Sequence, residues 1–347
     1  MSEKTNNWLV GAVIGAGVLA ALATFRKARR QFDFQDKVVL ITGGSRGLGL
    51  VLARELASEG ARLAICARDG EELALAKQEL EDSGAEVFEA ICDVRVKAEV
   101  EQLINDVCTR FGQIDVLINN AGVIQVGPLK EQTQTDFENA MAVHFWGPFY
   151  AIQSVLPTMR QQGAGRIVNI SSIGGKVAVP HLAPYCASKF ALVGLSKAMR
   201  GELAKDNIFV TTVCPGLMRT GSHVNALFKG QNEKEFAWFS LGNASPLTSV
   251  SAENAARQII ESVRRGDAEK IISVPAQAAA KIDAIFPELT AEITSIFNQI
   301  LPAPGGIGKN LARGKDSRSL ISPSVLTVLS DKEISKNNEH LANLPIN

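Results

Sequence analysis

From Lys37 onward, short apolar runs rich in β-branched residues alternate with longer segments whose apolar residues recur at helical spacing, and this rhythm narrows the fold more than any other feature. The runs Val38–Ile41, Leu63–Cys66, Val87–Ile91, Val116–Ile118, Ile167–Ile170, Ile208–Val213 and Ile271–Val274 read as strands. Most are apolar throughout, as strands covered on both faces must be, which predicts a parallel sheet. Leu48–Ser58, Glu71–Leu80, Lys97–Phe111, Phe137–Met159, Ala187–Ala204 and Ala252–Val263 read as the crossover helices. The expected fold is α/β: a doubly wound, mostly parallel seven-stranded Rossmann sheet with helices on both faces.

The chain's 347 residues allow one such domain with extensions, or two small ones. Lys+Arg and Asp+Glu balance at 36 each, so no net positive charge drives nucleic-acid binding. Cys66, Cys92, Cys108, Cys186 and Cys214 stand singly, without Cys-x-x-Cys pairs, and are read as buried apolar residues in a reducing compartment. His181, His223 and His340 lack metal-ligand spacing, and no metal is expected.

Residues 1–30 form a separate expectation. Trp8 to Phe25 carries no charge, and such a run reaches ~27 Å as a helix, close to the hydrocarbon thickness of a bilayer. Arg26, Lys27, Arg29 and Arg30 follow it, so a membrane anchor would leave the body of the chain facing the cytoplasm. A cleaved signal peptide, a surface-lying helix and a soluble cytoplasmic protein are the alternatives. Gly11, Gly15 and Gly17 mimic a nucleotide-binding turn, but no strand precedes them and they read as helix-packing residues.

The segment Thr42, Gly43, Gly44, Ser45, Arg46, Gly47, Leu48, Gly49 has the right context, directly after the first strand and opening the first helix. Glycines there let backbone approach a pyrophosphate, and the helix N-terminus offers it free N–H groups and a positive dipole. At the end of the second strand, where a carboxylate would hold the ribose 2′-hydroxyl of NAD, stands Ala67 followed by Arg68. Arg68, assisted by Arg46, can grip a 2′-phosphate through charge-assisted hydrogen bonds, so NADP(H) is the expected cofactor.

Four further motifs follow in order: Asn119-Asn120-Ala121-Gly122, Ser172 in Asn169-Ile170-Ser171-Ser172, Tyr185-Cys186-Ala187-Ser188-Lys189, and Pro215-Gly216 with Thr220. With the glycine turn, they make the chain resemble the short-chain dehydrogenase/reductase family from about Asp36 to Pro275. The resemblance implies that Asp93 and Val94 contact the adenine, and that Asn119, Ala121 and Gly122 pack beside its ribose. It also implies that Pro215, Gly216 and Thr220 border the nicotinamide.

Tyr185 and Lys189 lie four apart on an expected helix and project from one face. An ammonium beside a phenol favours the phenolate and is expected to bring the tyrosine toward the working pH range. Lys189 would, by resemblance, also hold the nicotinamide ribose. Ser172 stands 13 positions before Tyr185, as in the family, and would hold the substrate oxygen. Ser171 should face the other way by strand alternation. The expected reaction is hydride transfer between NADP(H) and a carbonyl or alcohol, with Tyr185 as proton donor and Ser172 polarising the oxygen. His144 stands where the family usually has the asparagine of a proton relay; it would keep the relay through its backbone, titrate within it, or serve as a packed neutral ring, so the departure bears on the relay rather than on hydride transfer.

The connection over residues 217–250 contains Phe228, Phe236, Trp238 and Phe239, which suggests a lid over an apolar or lipid-like substrate. Residues 276–347 read as an amphipathic stretch through Ile300, a Pro302–Gly306 break and a loosely ordered polar tail. A homo-oligomer is compatible with the sequence. The rival reading is a protein that binds NADP(H) as a redox sensor or membrane-associated scaffold without turnover; a sugar-nucleotide epimerase is disfavoured because no large substrate domain follows the sixth strand.

Overall fold

The computed structural model describes residues 30–245, 248–317 and 328–339. The proposed anchor, residues 8–25, lies outside them. Among the described residues, no helix is long and apolar enough to cross a membrane.

Seven parallel strands form the central sheet: β1 (Val38–Thr42), β2 (Arg62–Ala67), β3 (Val87–Ile91), β4 (Val116–Asn119), β5 (Gly165–Ile170), β6 (Ile208–Pro215) and β7 (Glu269–Ile272). Their order across the sheet is β7-β6-β5-β4-β1-β2-β3. The strand order reverses between β1 and β4, and in open α/β sheets the crevice beyond the strand ends at such a point receives the ligand. Helices α1 (Gly47–Ser58), α2 (Gly70–Asp82), α3 (Lys97–Phe111), α4 (Gln134–Met141), α5 (Gly147–Gln162), α6 (Ala183–Leu203), α7 (Asn232–Ala244) and α8 (Ala252–Arg264) follow in chain order.

Strand β1 is wholly buried because its side chains alternate between two cores. Val39 and Ile41 pack with Leu50 and Leu52 of α1, Leu73 of α2 and Ile259 of α8. Val38 and Leu40 pack on the opposite face with Val100 and Ile104 of α3 and Ile152 and Val155 of α5. Each fully buried aliphatic side chain stabilises the fold by about 1.5–3 kcal/mol relative to exposure. The sheet therefore holds its C-terminal strand ends rigidly where the site must form.

Three departures from the sequence expectation have local causes. Strand β7 ends at Ile272, two residues early, because Ser273 caps a helix and Pro275 suits its first turn. The span Phe137–Met159 is not one helix: a π-helical segment, Ala142–Trp146, separates α4 from α5, with the Gly147 N–H donating to the Ala142 carbonyl. Such inserts are frequent at functional sites. The region after β7 forms two helices, α9 (Val274–Ile285) and α10 (Pro287–Ile300).

The tail corrects the expectation of loose order within its described part. Helix α11 (Val328–Lys336) leads into Asn337, Asn338 and Glu339, which dock on α1 and the glycine turn. Polar composition concealed this because the contacts are hydrogen bonds and ion pairs: Arg54 donates to the Lys336 carbonyl at 2.8 Å and to Asn337 Oδ1 at 3.0 Å, and Lys336 pairs with Glu253.

Candidate active site

The C-terminal ends of β1, β2, β4 and β5 open into a cleft of about 360 Å³. Its phosphate end is the glycine turn, which the backbone makes narrow. Gly43 has φ +67°, and a Cβ there would stand 2.9 Å from the Ala121 Cα; a Cβ on Gly49 would stand 2.0 Å from the Gly43 carbonyl oxygen. Gly49 thus allows α1 to start directly against the turn. Gly43, Ser45, Arg46, Gly47 and Leu48 line the cleft, and the opening of α1 presents its first-turn N–H groups there.

Thr42 supports this turn from beneath: its Oγ1 accepts from the N–H groups of Asn120 and Ala121 at 3.0 and 3.1 Å. Asn120, which the sequence reading did not single out, donates to the carbonyls of Thr42 and Gly43 at 3.1 and 3.0 Å. Asn119 itself is buried and donates to Asn169 Oδ1 at 2.8 Å, so it joins β4 to β5, and Asn120, Ala121 and Gly122 form the cleft wall. Strand alternation is the reason: two adjacent asparagines face opposite ways, and only their position relative to the strand end tells which faces the cleft.

At the adenine end, Arg68, Asp93, Val94 and Arg95 line the wall. Arg95 grips Asp93 with contacts of 2.6–3.0 Å, which hold the Asp93 carboxyl below its ordinary range against the opposing effect of burial. Burial lowers Arg68, opposed by Asp93, while Arg95, Arg46 and Arg313 add like charge. Arg46 is 2.8 Å from the Glu72 carboxylate and 3.7 Å from that of Glu339. Glu72 and Glu339, both raised by burial, were missed in the sequence because neither falls within a motif.

The other end gathers Ser172, Tyr185, Lys189 and His144. Tyr185 and Lys189 share one face of α6, with the ammonium 5.7 Å from the phenol ring centroid. The Lys189 ammonium donates to the Ile170 carbonyl at 2.9 Å. The Ser172 hydroxyl lies beside the Tyr185 phenol and accepts from the Gly174 N–H at 3.0 Å. Ser171 instead donates to the Lys189 carbonyl at 3.0 Å, as strand alternation requires.

Burial changes the expected titration. It pushes Tyr185 up to about 12, opposed by the neighbouring Ser172 hydroxyl, and holds Lys189 down at about 7. The expected shift of the phenol toward the working pH range does not occur in this structure, because desolvation penalises both charged forms. Tyr185 stands as a protonated phenol across the neutral range.

His144 sits edge-on to the Tyr185 ring, with centroids 5.4 Å apart. Its Nε2 accepts from the Val123 N–H at 3.1 Å, so the proton resides on Nδ1, which is 2.8 Å from Ser188 Oγ; that hydroxyl donates to the Tyr185 carbonyl. Burial, then Lys189, holds the imidazole well below its ordinary range. A neutral ring with both nitrogens engaged results.

Thr220 and Met218 line the cleft beyond Lys189. Pro215 and Gly216 stand at the end of β6, with the Gly216 N–H donating to the Ile272 carbonyl at 3.0 Å, and support this wall from behind. The lid aromatics behave differently from the sequence expectation. Phe228, Phe236 and Phe239 are buried with Val126, Leu182 and Cys186 in a satellite core, and Trp238 packs against it. Large aromatic rings bury more than they expose, so they fix the lid to the body. The apolar cleft wall comes instead from Val123, Ile124, Val143, Leu227 and Leu311.

A parallel doubly wound sheet with a glycine turn and a convergent serine, tyrosine and lysine defines a dinucleotide-dependent oxidoreductase of the Rossmann class. The short chain dehydrogenase model matches residues 37–229, and the chain belongs to that family. It is 42% identical over 187 residues to a putative ketoacyl reductase of Streptomyces coelicolor, covering 53% of this chain and 72% of that one. A variant of the actinorhodin polyketide ketoreductase solved with NADPH superposes with a TM-score of 0.60 at 34% identity, over 68% of this chain and 95% of that one. A family member from Burkholderia phymatum solved with NAD shares the fold, with a TM-score of 0.65 at 24% identity, over 74% of this chain and 96% of that one.

Proposed function

We propose that the protein is an NADP(H)-dependent reductase of ketones or aldehydes whose substrate is predominantly apolar. The observation that carries the reading is the Tyr185 phenol and the Lys189 ammonium on one face of α6, with Ser172 beside the phenol, in a cleft whose other end is a glycine turn. A nicotinamide dinucleotide, when bound, supplies the hydride.

The chain's own residues supply the rest. Gly43, Gly47 and the first turn of α1 fit a pyrophosphate, since side chains at Gly43 and Gly49 would close the cradle. Arg68, with Arg46 nearby, favours a 2′-phosphate, and the NADPH in the actinorhodin ketoreductase accords with this. Ser172 holds the carbonyl oxygen, and Tyr185, a neutral phenol, passes its proton to that oxygen as charge develops on it. Lys189 in its ammonium form then stabilises the phenolate left behind. His144 positions Tyr185 through its edge-on ring and through Ser188, which receives its Nδ1 hydrogen bond and bonds the Tyr185 carbonyl. Val123, Ile124, Val143, Leu227 and Leu311 shape the substrate end as an apolar wall.

The test is a panel of ketones and aldehydes, from short polar to long-chain and polycyclic, followed by NADPH absorbance with NADH in parallel. The reading expects turnover of apolar carbonyls, and kcat/KM at least about tenfold higher with NADPH. Equal efficiency with both cofactors removes the arginine argument; activity confined to short polar ketones removes the apolar substrate.

A further inference from the structure

Glu339 is 3% exposed, although it comes from the polar tail. One of its carboxylate oxygens stands 2.5 Å from where a Cβ on Gly47 would be; the other accepts from Asn225 Nδ2 at 2.7 Å and lies 3.7 Å from Arg46 Nε. Asn225 also donates to the Glu339 backbone carbonyl at 2.6 Å. The preceding residues occupy the same place. The Asn337 carbonyl accepts the Gly47 N–H at 2.9 Å, and Asn338 Nδ2 donates to the Ser45 carbonyl at 3.4 Å. A carboxylate and a carbonyl thus fill a cradle whose N–H groups and helix dipole suit a phosphate.

From this geometry we infer that residues 333–339 are a competitor in cis for the dinucleotide's phosphates, with Glu339 the residue that sets cofactor affinity. The inference rests on the reading that the cleft takes a dinucleotide. A pyrophosphate cannot accept from the Gly47 N–H while Asn337 holds it, and it meets like charge while the Glu339 carboxylate stays. Binding therefore displaces the tail, which also releases Arg46 from one of its two carboxylates.

The lock is adjustable from outside the cleft. Lys336 pairs with Glu253 at the start of α8, and Arg54 on α1 holds the Lys336 carbonyl and Asn337. Weakening that remote attachment shifts the balance toward the open cradle without altering any group that faces the cofactor.

The test titrates NADPH into the full-length protein by calorimetry. Glu339→Gln keeps the shape and removes the charge, and is expected to lower Kd by about tenfold, the upper range for one charge at a helix N-terminus. Glu253→Gln, remote from the cradle, is expected to lower it by about twofold, as for a solvent-exposed ion pair. In the unmodified protein, saturating NADPH is expected to speed hydrogen exchange at the Asn337 and Glu339 amides, which donate to the carbonyls of Glu333 and Ile334. This arm stands even where a variant fails to fold. An unchanged or higher Kd for Glu339→Gln, or slower exchange at those amides with NADPH, overturns the inference and leaves the functional reading intact. Failure of the unmodified protein and both variants to bind any dinucleotide overturns both.

Discussion

At the carbonyl end of the cleft, Ser172, Tyr185, Lys189 and His144 come from neighbouring elements and are held by bonds to nearby backbone and to Ser188. At the phosphate end, the glycine turn is met by Asn338, 293 residues further along the chain from Ser45, and by Glu339 beside it. The first end is assembled from contacts within the family-matched segment, residues 37–229. The second is completed from outside it. The difference separates chemistry, which is built into the shared fold, from cofactor access, which this chain controls with its own tail.

The comparison breaks most sharply at Tyr185. Tyr185→Phe removes the proton donor and should cut turnover by about 10³-fold or more, the range of general acid catalysis, while calorimetry still records NADPH binding. Loss of binding instead would mean that the two ends are not separable.

Gly49→Ala attacks the other end, because its Cβ would stand 2.0 Å from the Gly43 backbone oxygen. It should destabilise the protein by about 1–3 kcal/mol, read as a lower urea midpoint, and weaken NADPH binding. A neutral result would show that α1 can slide away from the turn.

Arg68→Ala should reduce NADPH affinity by about tenfold or more and leave NADH nearly unchanged, as expected for one charge-assisted contact. Equal losses for both cofactors would place Arg68 elsewhere than at a 2′-phosphate.

The smallest effect is the pH profile. Lys189, held at about 7 by burial, carries its charge below that pH and loses it above. Because the ammonium stabilises the phenolate, reductive kcat/KM should decline as pH rises through about 7, and Lys189→Met should flatten the profile. The same depression makes folding stability rise with pH between about 7 and the ordinary lysine value, since the unfolded chain binds the extra proton there. A reductive rate that climbs across this window contradicts the assignment.

Much of this was legible in the residues because the signals were local. Buried parallel strands announce themselves as apolar runs, and the seven were found within a few residues of their ends. The four-residue spacing of Tyr185 and Lys189 fixes their shared face without any tertiary information. What escaped depended on distance or on facing. The π segment at Ala142–Trp146 leaves the apolar pattern unbroken, so Phe137–Met159 reads as one helix. Phe228, Phe236 and Phe239 advertise an apolar surface but not whether it meets a ligand or the core. Glu339 is one acidic residue in a polar tail until the fold brings it to Gly47.

The central claim is that hydride passes from the nicotinamide to a carbonyl held by Ser172 and Tyr185. Reduction of an active ketone with NADPH carrying deuterium at the transferable C4 position tests it most directly. Mass spectrometry should find one deuterium on the carbinol carbon of the product. Product formed without that label, or label lost to solvent, would contradict it.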